Sequence, residues 1–508
     1  MPLNPEPNAA PAPDPAARAR DLIEQGIAQA EAGDTDAALA ALDEADRLAT
    51  AAGDVSLLAS ARINKGFAHW VLGDLETACT YFAEGADVAR AAQDTPRLAS
   101  ALANLAAASK RAGRHANAIT AYQEYLPLVI DDPEARAGAH QDCGMSYLQL
   151  EQFEPALAHL EEAERIALEA DLTKLVISAR INQGVVRERE GEDELAAPHY
   201  QAAATLAREA GHSALAAVAI ERQAQTLRQL SAFTDADPLF AEAEQLYRSL
   251  AKDAELARTL HWHALAFKGA GMRDRALATW RAEELIRRRL KQHAELGECL
   301  FEQAELLRER EEDAAAEGVY TRAAAAHRTA ANRRGLAETL GRHGDLLWSQ
   351  SRVNEARPLA DEALATVVGA NAPDTEARVR SLMAMLLADA GESDEALAEL
   401  DAAEAAAISI GEHGLLTWLK ARRAYVFARA NRPVEDVAEQ LGEAYAYGFD
   451  FADGRTARRA VLTMIFEMKK WCSAEYRETL EAIRADIRTG KPGAAPDTEP
   501  EPPGATDL

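Results

Sequence analysis

The sequence predicts an all-α solenoid made of eleven tandem helical hairpins and a C-terminal capping pair of helices. Three observations predict it: a 40-residue repeat, two amphipathic stretches in every repeat, and an alanine-rich composition in which only 6% of the 508 residues are aromatic. Alanine has the highest helix propensity of the common residues. Hydrophobic residues make up 48% of the chain, which is enough to bury a large core.

A short loop returns at a nearly constant interval and defines the repeat. It reads GDTDAA in the first copy, GDLETA in the second and GRHANA in the third. The spacings are 40, 40 and 38 residues, followed by seven of 40. The copies begin at Gly33, Gly73, Gly113, Glu151, Gly191, Ser231, Gly271, Glu311, Ser351, Gly391 and Asn431. Self-similarity at this period is typical of stacked helical hairpins.

Three columns aligned to this loop predict how the hairpins pack. The residue seven before the loop is always Gly or Ala, and the residue five after it is Ala in every copy except the eleventh, which has Asp436. The residue nine after it is large in most copies, as in Phe82, Tyr200 and Trp280. We expect the small residues to face each other across the hairpin, and the large residue to fill the space toward the next one.

The two ends of the chain depart from the repeat. A twelfth loop would fall near Trp471, but Met464, seven residues earlier, is not small. We therefore predict an eleven-repeat array over residues 16–454 and a degenerate capping hairpin over residues 455–489, which covers the last apolar face. Residues 1–15 are rich in proline, and residues 490–508 are proline-rich and acidic, so both are predicted to be disordered tails.

The charge of the chain disfavours two kinds of partner. The formal net charge is −28, which repels a phosphate backbone, so we predict no binding to nucleic acid. An anionic membrane surface is disfavoured for the same reason, and no apolar run is long enough for membrane insertion. We interpret the acidic surface as a source of solubility, and the alternative is a basic partner.

Cysteine usage and the N-terminal residues predict a cytoplasmic protein. Cys79, Cys143, Cys299 and Cys472 lie far apart and form no CxxC pair, which favours a reducing compartment over disulfides or zinc. The first residues lack the charged and apolar regions of a signal peptide. No cofactor or metal motif, phosphate loop or nucleophile elbow is present, so we predict a protein that is not an enzyme and needs no cofactor.

The aligned columns resemble the tetratricopeptide repeat, which has small, small and aromatic residues at its eighth, twentieth and twenty-fourth positions. The resemblance covers roughly residues 17–450 and implies a right-handed solenoid. The period exceeds the usual 34 residues, and is similar to that of kinesin light chains and of the Leu-Gly-Asn repeat adaptors. The first-helix pattern of those families, Ala-Leu-x-Asn-Leu-Gly, has counterparts in ARINKG (61–66), ALANLA (101–106) and ARINQG (179–184).

The resemblance implies that the first helix of each repeat lines a concave groove that binds extended peptides. Asn occupies the position nine before the loop in copies two, three and five, and Asp142 interrupts this ladder. An amide carries a donor and an acceptor and can clamp the backbone of any peptide. The alternative is that these amides bond neighbouring helices.

Tryptophan and arginine are enriched in binding hot spots, which adds further candidates along the groove. The alternative for each tryptophan is packing between repeats, and the alternative for each arginine is pairing with neighbouring glutamates. The predicted peptide-binding residues are Asn64, Asn104, Asn182, Phe67, Trp70, Lys110, Arg222, Trp262, Arg342 and Trp348.

These observations predict a non-catalytic scaffold or adaptor that binds a protein or peptide partner. The alternative is a regulatory peptide sensor, similar to bacterial repeat receptors, that changes shape and docks a separate effector. An enzyme with a site grafted into the groove is the third class, and no sequence feature suggests its substrate. The sequence leaves open the partner, the oligomeric state, and whether the groove or the convex face is the main binding surface.

Overall fold

The computed structural model describes residues 14–489, except for the side chains of residues 475, 486, 488 and 489. The predicted tails at 1–15 and 490–508 lie outside the described residues, apart from residues 14 and 15. The described residues form 24 α-helices and one short 3₁₀ helix, with no strand among them. The prediction of an all-α solenoid is confirmed. The chain divides into two compact units, Met1–Lys252 and Asp253–Leu508.

The first unit holds six hairpins. Its helices are α1 (Pro15–Glu31), α2 (Thr35–Ala52), α3 (Val55–Leu72), α4 (Leu75–Ala91), α5 (Thr95–Arg111), α6 (His115–Tyr125), the 3₁₀ helix (Leu126–Val129), α7 (Pro133–Gln149), α8 (Phe153–Glu169), α9 (Thr173–Glu190), α10 (Asp193–Glu209), α11 (Ser213–Gln229) and α12 (Phe233–Ser249).

The second unit holds repeats seven to eleven and the final helix pair. Its helices are α13 (Asp253–Gly269), α14 (Arg273–Leu290), α15 (His293–Glu309), α16 (Asp313–Thr329), α17 (Arg333–Ser349), α18 (Val353–Val367), α19 (Pro373–Ala390), α20 (Ser393–Ser409), α21 (His413–Arg429), α22 (Val434–Phe451), α23 (Gly454–Lys469) and α24 (Ala474–Thr489). None of the described helices combines the length and apolarity needed to cross a bilayer.

The repeated loop is the point where each first helix ends. Its first residue has a positive φ in all eleven copies, from 52° at Asn431 to 86° at Gly191. After α9, the N–H of Gly191 donates to the carbonyl of Glu188 at 3.1 Å, and the N–H of Glu192 donates to the carbonyl of Arg187 at 2.9 Å. This paired pattern closes a helix end that would otherwise leave carbonyls without donors. Glycine stands here in six copies because it adopts this conformation without strain.

The small and large columns pack against each other within one hairpin. A Cβ placed on Gly184 would lie 2.6 Å from the ring of Tyr200, which is fully buried, so only glycine leaves room for that ring. Gly66 and Phe82 repeat this arrangement, with a corresponding distance of 2.7 Å. The large residue therefore fills space within its own hairpin, and not only toward the next one as the columns suggested.

Two prolines account for the irregular repeats. Pro127 lies at the start of the 3₁₀ helix that follows α6, and α6 has 11 residues where α8 has 17. This early end of the second helix coincides with the 38-residue step. In the eleventh copy Pro433 is the N-cap of α22, and the buried residues are Val437 and Leu441, each one position later than the column predicts. Asp436 therefore marks a one-residue shift of the core rather than its loss.

The final helix pair covers the end of the second unit. α23 packs on both α21 and α22, and α24 packs on α22 and α23. Met464, which replaces the small residue of the column, is 1% exposed. A large apolar side chain fits at this position because the buried face of α23 packs against the preceding hairpin. The predicted capping pair of helices is present in the structure.

Candidate functional site

The first helix of each hairpin lines the inner face of its unit. Most first helices of neighbouring hairpins pack against one another, as α1 does on α3 and α17 does on α19. Among the described helices, α22 and α24 of the final hairpins are the one pair of neighbouring second helices that make a comparable contact. Helices on the inner side of a curved stack lie closest together. The residues predicted from the first-helix columns therefore lie on the helices of the inner side of their unit.

The asparagine ladder lies on α3, α5 and α9 of the first unit. The side-chain N–H of Asn64 donates to the Ser60 carbonyl at 2.8 Å, and that of Asn104 donates to the Ser100 carbonyl at 2.9 Å. Both bonds stay within one helix turn. No described residue bonds the side-chain oxygen of either asparagine, and the Asn182 amide, which is half-buried, has no described partner at all. Each amide thus keeps an acceptor and a donor for a ligand.

Apolar side chains accompany the ladder on α3. Phe67 is 40% exposed, and Ile63, one turn earlier, is buried at 8%. Trp70 is half-buried, and the guanidinium of Arg111 lies 5.5 Å from its ring centre. A stacked cation fixes the ring while leaving part of its surface open. Phe67 and Trp70 can therefore take an apolar side chain beside the amides.

Between Asn104 and Asn182 the ladder is replaced by a charged cluster. Lys110 of α5 donates to Asp142 of α7, and the hydroxyl of Tyr122 donates to the same carboxylate at 2.8 Å. Burial and the neighbouring Asp142 raise the pKa of Tyr122. Lys110 is thus paired with a carboxylate of its own chain. For charged groove residues the sequence left open either this kind of pairing or contact with a partner.

Arg222 lies next to Glu188, and it is the last predicted residue in the first unit. Its guanidinium is 3.7 Å from the Glu188 carboxylate, which also accepts a 2.7 Å hydrogen bond from the hydroxyl of Tyr200. The arginine side chain is 42% exposed. Its pairing with Glu188 is long and exposed, so it contributes little to stability and leaves Arg222 available to another anion.

The other predicted residues lie on the inner face of the second unit. Trp262 of α13 is half-buried and meets the His261 ring edge-on at 5.5 Å. Arg342 of α17 lies 3.9 Å from Glu305, and the Nε of Arg342 is buried without a hydrogen-bond partner among the described residues. Burial would raise the pKa of Glu305, but Arg342 and other neighbouring cations hold it below its usual value.

Trp348 is part of the wall of the second unit and not an exposed anchor. It is 6% exposed, and its Nε1 donates to Asp389 at 2.8 Å. Asp389 also accepts a hydrogen bond from the hydroxyl of Tyr425 at 2.6 Å and forms an ion pair with Arg429 at 2.6 Å. The Trp348 and Tyr425 rings meet edge-on at 5.4 Å. These contacts hold Trp348 in the wall of a cavity.

That cavity has a volume of about 660 Å³ and opens on the inner face of the second unit. It extends over first helices from α15 to α23. Besides Arg342 and Trp348, its lining includes Arg378, Trp418 and Arg459, which the sequence reasoning did not select. Arg378 and Trp418 each stand thirteen residues before the loop of their own repeat, on its first helix, so aligning that column as well could have identified them. Arg459 is on α23, where the columns no longer apply.

A cluster of histidine and cysteine in the first unit does not form a metal site. The Nδ1 atoms of His140 and His159 are 3.0 Å apart, while Cys143 Sγ lies 3.7 Å from the other ring nitrogen of His159. The three groups therefore do not converge on one point, and no group of three potential ligands among the described residues could hold an ion. Burial raises the pKa of Cys143 to about 12, which keeps the thiol protonated and unreactive.

Comparison with known proteins identifies the repeat. Residues 57–131, which span the second and third hairpins, match the family model described as tetratricopeptide repeat. None of the curated proteins compared with the chain matches it. Among solved structures, the apo form of RapI has a TM-score of 0.52 at 13% identity, with 77% of this chain and 99% of that chain covered. At this identity the likeness extends to the fold alone.

Two further solved structures overlap with parts of the chain. The apo form of the quorum sensor NprR from B. thuringiensis has a TM-score of 0.44 at 12% identity and covers 68% of this chain and 98% of its own. The putative kinesin light chain repeats of Podosopora anserina have a TM-score of 0.35 at 13% identity and cover 39% and 99%. The family model thus places tetratricopeptide repeats at residues 57–131, and helical hairpins continue through both units.

Proposed function

We propose that the chain is a non-catalytic scaffold or adaptor that binds an extended peptide segment of a partner protein on the concave face of its first unit. The observation that carries this proposal is the ladder of Asn64, Asn104 and Asn182. Each amide is half-buried on the inner face and keeps an unbonded oxygen. A polar group in such a position needs a partner, and the backbone of an extended peptide supplies donors and acceptors at regular intervals.

The surroundings of the ladder support a bound peptide. Phe67 and Trp70 offer apolar surface beside the amides, so one side chain of the peptide can be buried while its backbone is clamped. Of the predicted residues of the second unit, Trp262 and Arg342 supply a separate surface for the same partner, and the buried Trp348 supports that surface from within the wall. We also propose a cytoplasmic location, because all four cysteines are free and buried.

The experiment identifies the partner and tests the ladder together. The chain is used as bait in an extract of its native host, and captured proteins are identified by mass spectrometry. The partner is then purified and its Kd measured against the chain and against the triple variant Asn64→Ala, Asn104→Ala, Asn182→Ala. We expect about a hundredfold weaker binding, since three hydrogen bonds worth about 1 kcal/mol each are lost.

A matched control separates this effect from surface changes in general. Asn117 of α6 and Gln201 of α10 are exposed amides on second helices. The double variant Asn117→Ala, Gln201→Ala should bind the partner as the parent chain does. Equal binding by the triple variant, with its helicity unchanged by circular dichroism, would rule out the ladder as the peptide clamp.

A further inference from the structure

The cavity of the second unit is closed at one end by the last hairpin. Lys470, which directly follows α23, donates from its Nζ to the backbone carbonyl of Ser349 at the end of α17, at 2.8 Å. Arg422 of α21 reaches back to Asp345 of α17, also at 2.8 Å. These contacts join helices two and three hairpins apart. The inner face therefore forms a bounded recess here rather than an open channel, and its size suits a short segment of chain.

Three of the six carboxylates that line this recess have cationic partners in the same lining. Asp345 pairs with Arg422, Glu305 pairs with Arg308 at 3.0 Å, and Glu467 pairs with Lys470 at 2.7 Å. Burial raises the pKa of Glu467. The remaining acidic lining residues lie where α15 meets α16, on a different hairpin from α19 and α23. These residues are Glu309, Glu311 and Asp313.

Two arginines of the recess have no such partner. Arg378 of α19 and Arg459 of α23 are exposed to the solvent of the cavity, and neither forms an ion pair with a described residue. The rest of Arg378 is enclosed by protein. This burial and the nearby Arg342 lower the pKa of its guanidinium, while the carboxylates of Glu338, Asp374 and Asp345 act in the opposite direction. Like charges crowded into a recess raise the local positive potential. An anionic group placed between them would relieve this repulsion and gain charge-assisted hydrogen bonds.

Aromatic surface lies beside these cations. Trp418 and Phe466 are half-buried in the lining, which also includes Trp348. A small inorganic anion would use the arginines alone, whereas a peptide can place carboxylates on the arginines and lay its backbone and apolar side chains on the rings. A nucleic acid binds through many basic side chains along its backbone, whereas this recess offers two arginines without an ion-pair partner among the described residues.

We propose that this recess binds an extended acidic peptide segment of a partner protein, with Arg378 and Arg459 as its carboxylate-binding residues. The proposal rests on the proposed function, because it names the chemistry of the partner, but it concerns the second unit and residues other than the asparagine ladder.

The test uses the full chain and a fluorescein-labelled peptide of alternating glutamate and serine, with binding followed by fluorescence anisotropy. A peptide of equal length with glutamine in place of glutamate is the control ligand. We expect the acidic peptide alone to bind, with an affinity that falls as salt is raised. The variant Arg378→Gln, Arg459→Gln should bind it at least about tenfold more weakly, since both charge-assisted contacts are lost.

The control variant is Arg248→Gln, Arg281→Gln, which removes two exposed arginines on second helices that also form no ion pair with a described residue. It should bind the acidic peptide as the parent chain does. Equal losses in the two double variants, or equal binding of the glutamine peptide, would overturn the proposal. So would displacement of the probe by inorganic phosphate at the same concentration as unlabelled peptide, because the site would then be one for small anions.

The two proposals fail separately. The Asn64→Ala, Asn104→Ala, Asn182→Ala variant should bind the acidic probe as the parent chain does. Loss of partner capture in that variant with intact probe binding supports both proposals. Retained capture with intact, arginine-dependent probe binding contradicts only the ladder, and probe binding that ignores Arg378 and Arg459 contradicts only the recess.

Discussion

His327 shows how one buried side chain makes the stability of the second unit depend on pH. It lies on α16 with 1% of its surface exposed, and its Nδ1 has no hydrogen-bond partner among the described residues. Its ring occupies the space beside Gly297 and Gly335, where no side chain would fit. Burial lowers its pKa from 6.5 to about 4. The unfolded chain therefore binds a proton below pH 6.5 that the folded chain refuses until about pH 4, so stability is lost as the pH falls through this window.

We expect this group to lower the free energy of unfolding by about 3 kcal/mol between pH 6.5 and pH 4. The variant His327→Asn, which has no titrating ring, should lose less stability over the same window, whatever its stability at neutral pH. Urea unfolding followed by circular dichroism at several pH values measures the difference. Identical pH dependence in the two proteins would contradict the assignment of this proton to His327.

Residue-level predictions from the sequence were strongest where spacing alone places a side chain. The asparagine column predicted that Asn64, Asn104 and Asn182 lie on the inner side of their unit, because the distance from the loop fixes where a residue falls on its helix. The same column contains Leu382, which is fully buried and packs over Gly344 of the preceding hairpin. In that preceding hairpin Ala360 replaces the large residue, and Leu382 fills the space instead. Such compensation depends on contacts between hairpins, which no single column contains.

The turns between helices contain residues in the left-handed backbone conformation. Residues with positive φ occur at the loop inside each repeat and also twenty residues later, between repeats, where Gly53 and Gly211 alternate with non-glycine residues such as Ala331. Ala331 has a φ of 53° and is exposed. Its Cβ is strained in this conformation, and glycine is the residue that relieves the strain.

Ala331→Gly should therefore raise the free energy of unfolding by about 1 kcal/mol. The matched control is Ala330→Gly, one residue earlier, where φ is −80° and the conformation is right-handed. There glycine should destabilise the chain by up to about 1 kcal/mol. Equilibrium unfolding of both variants gives the two signs, and a destabilising effect of Ala331→Gly would contradict the role assigned to this turn.

At the scale of elements, the period predicted the helix order and the place of every loop inside a repeat, because the loop residue is where the first helix ends. It did not predict the 3₁₀ helix at Pro127 or the shift of the core after Pro433. Both arise because proline changes where a helix begins or ends. The loop spacing hardly records this change, since it is two residues shorter around Pro127 and the usual 40 residues before Pro433.

At the scale of the whole molecule, the chain is two compact units, each with its own inner face. The asparagine ladder belongs to the first, and the arginine-lined recess belongs to the second. The sequence analysis placed the asparagines in copies two, three and five, and tryptophan and arginine candidates in later copies. It did not predict the recess, because the contact between Lys470 and Ser349 joins residues 121 positions apart and depends on the curvature of the stack.

The central claim is that the inner face of the first unit holds the partner. Hydrogen–deuterium exchange of the chain, alone and saturated with the captured partner, tests it most directly. Slower exchange of backbone amides in α3, α5 and α9, with α4, α6 and α10 unchanged, is the result predicted by a peptide clamped on the asparagine ladder. Protection confined to the second helices, with α3, α5 and α9 unaffected, would place the partner on the convex face and contradict the claim.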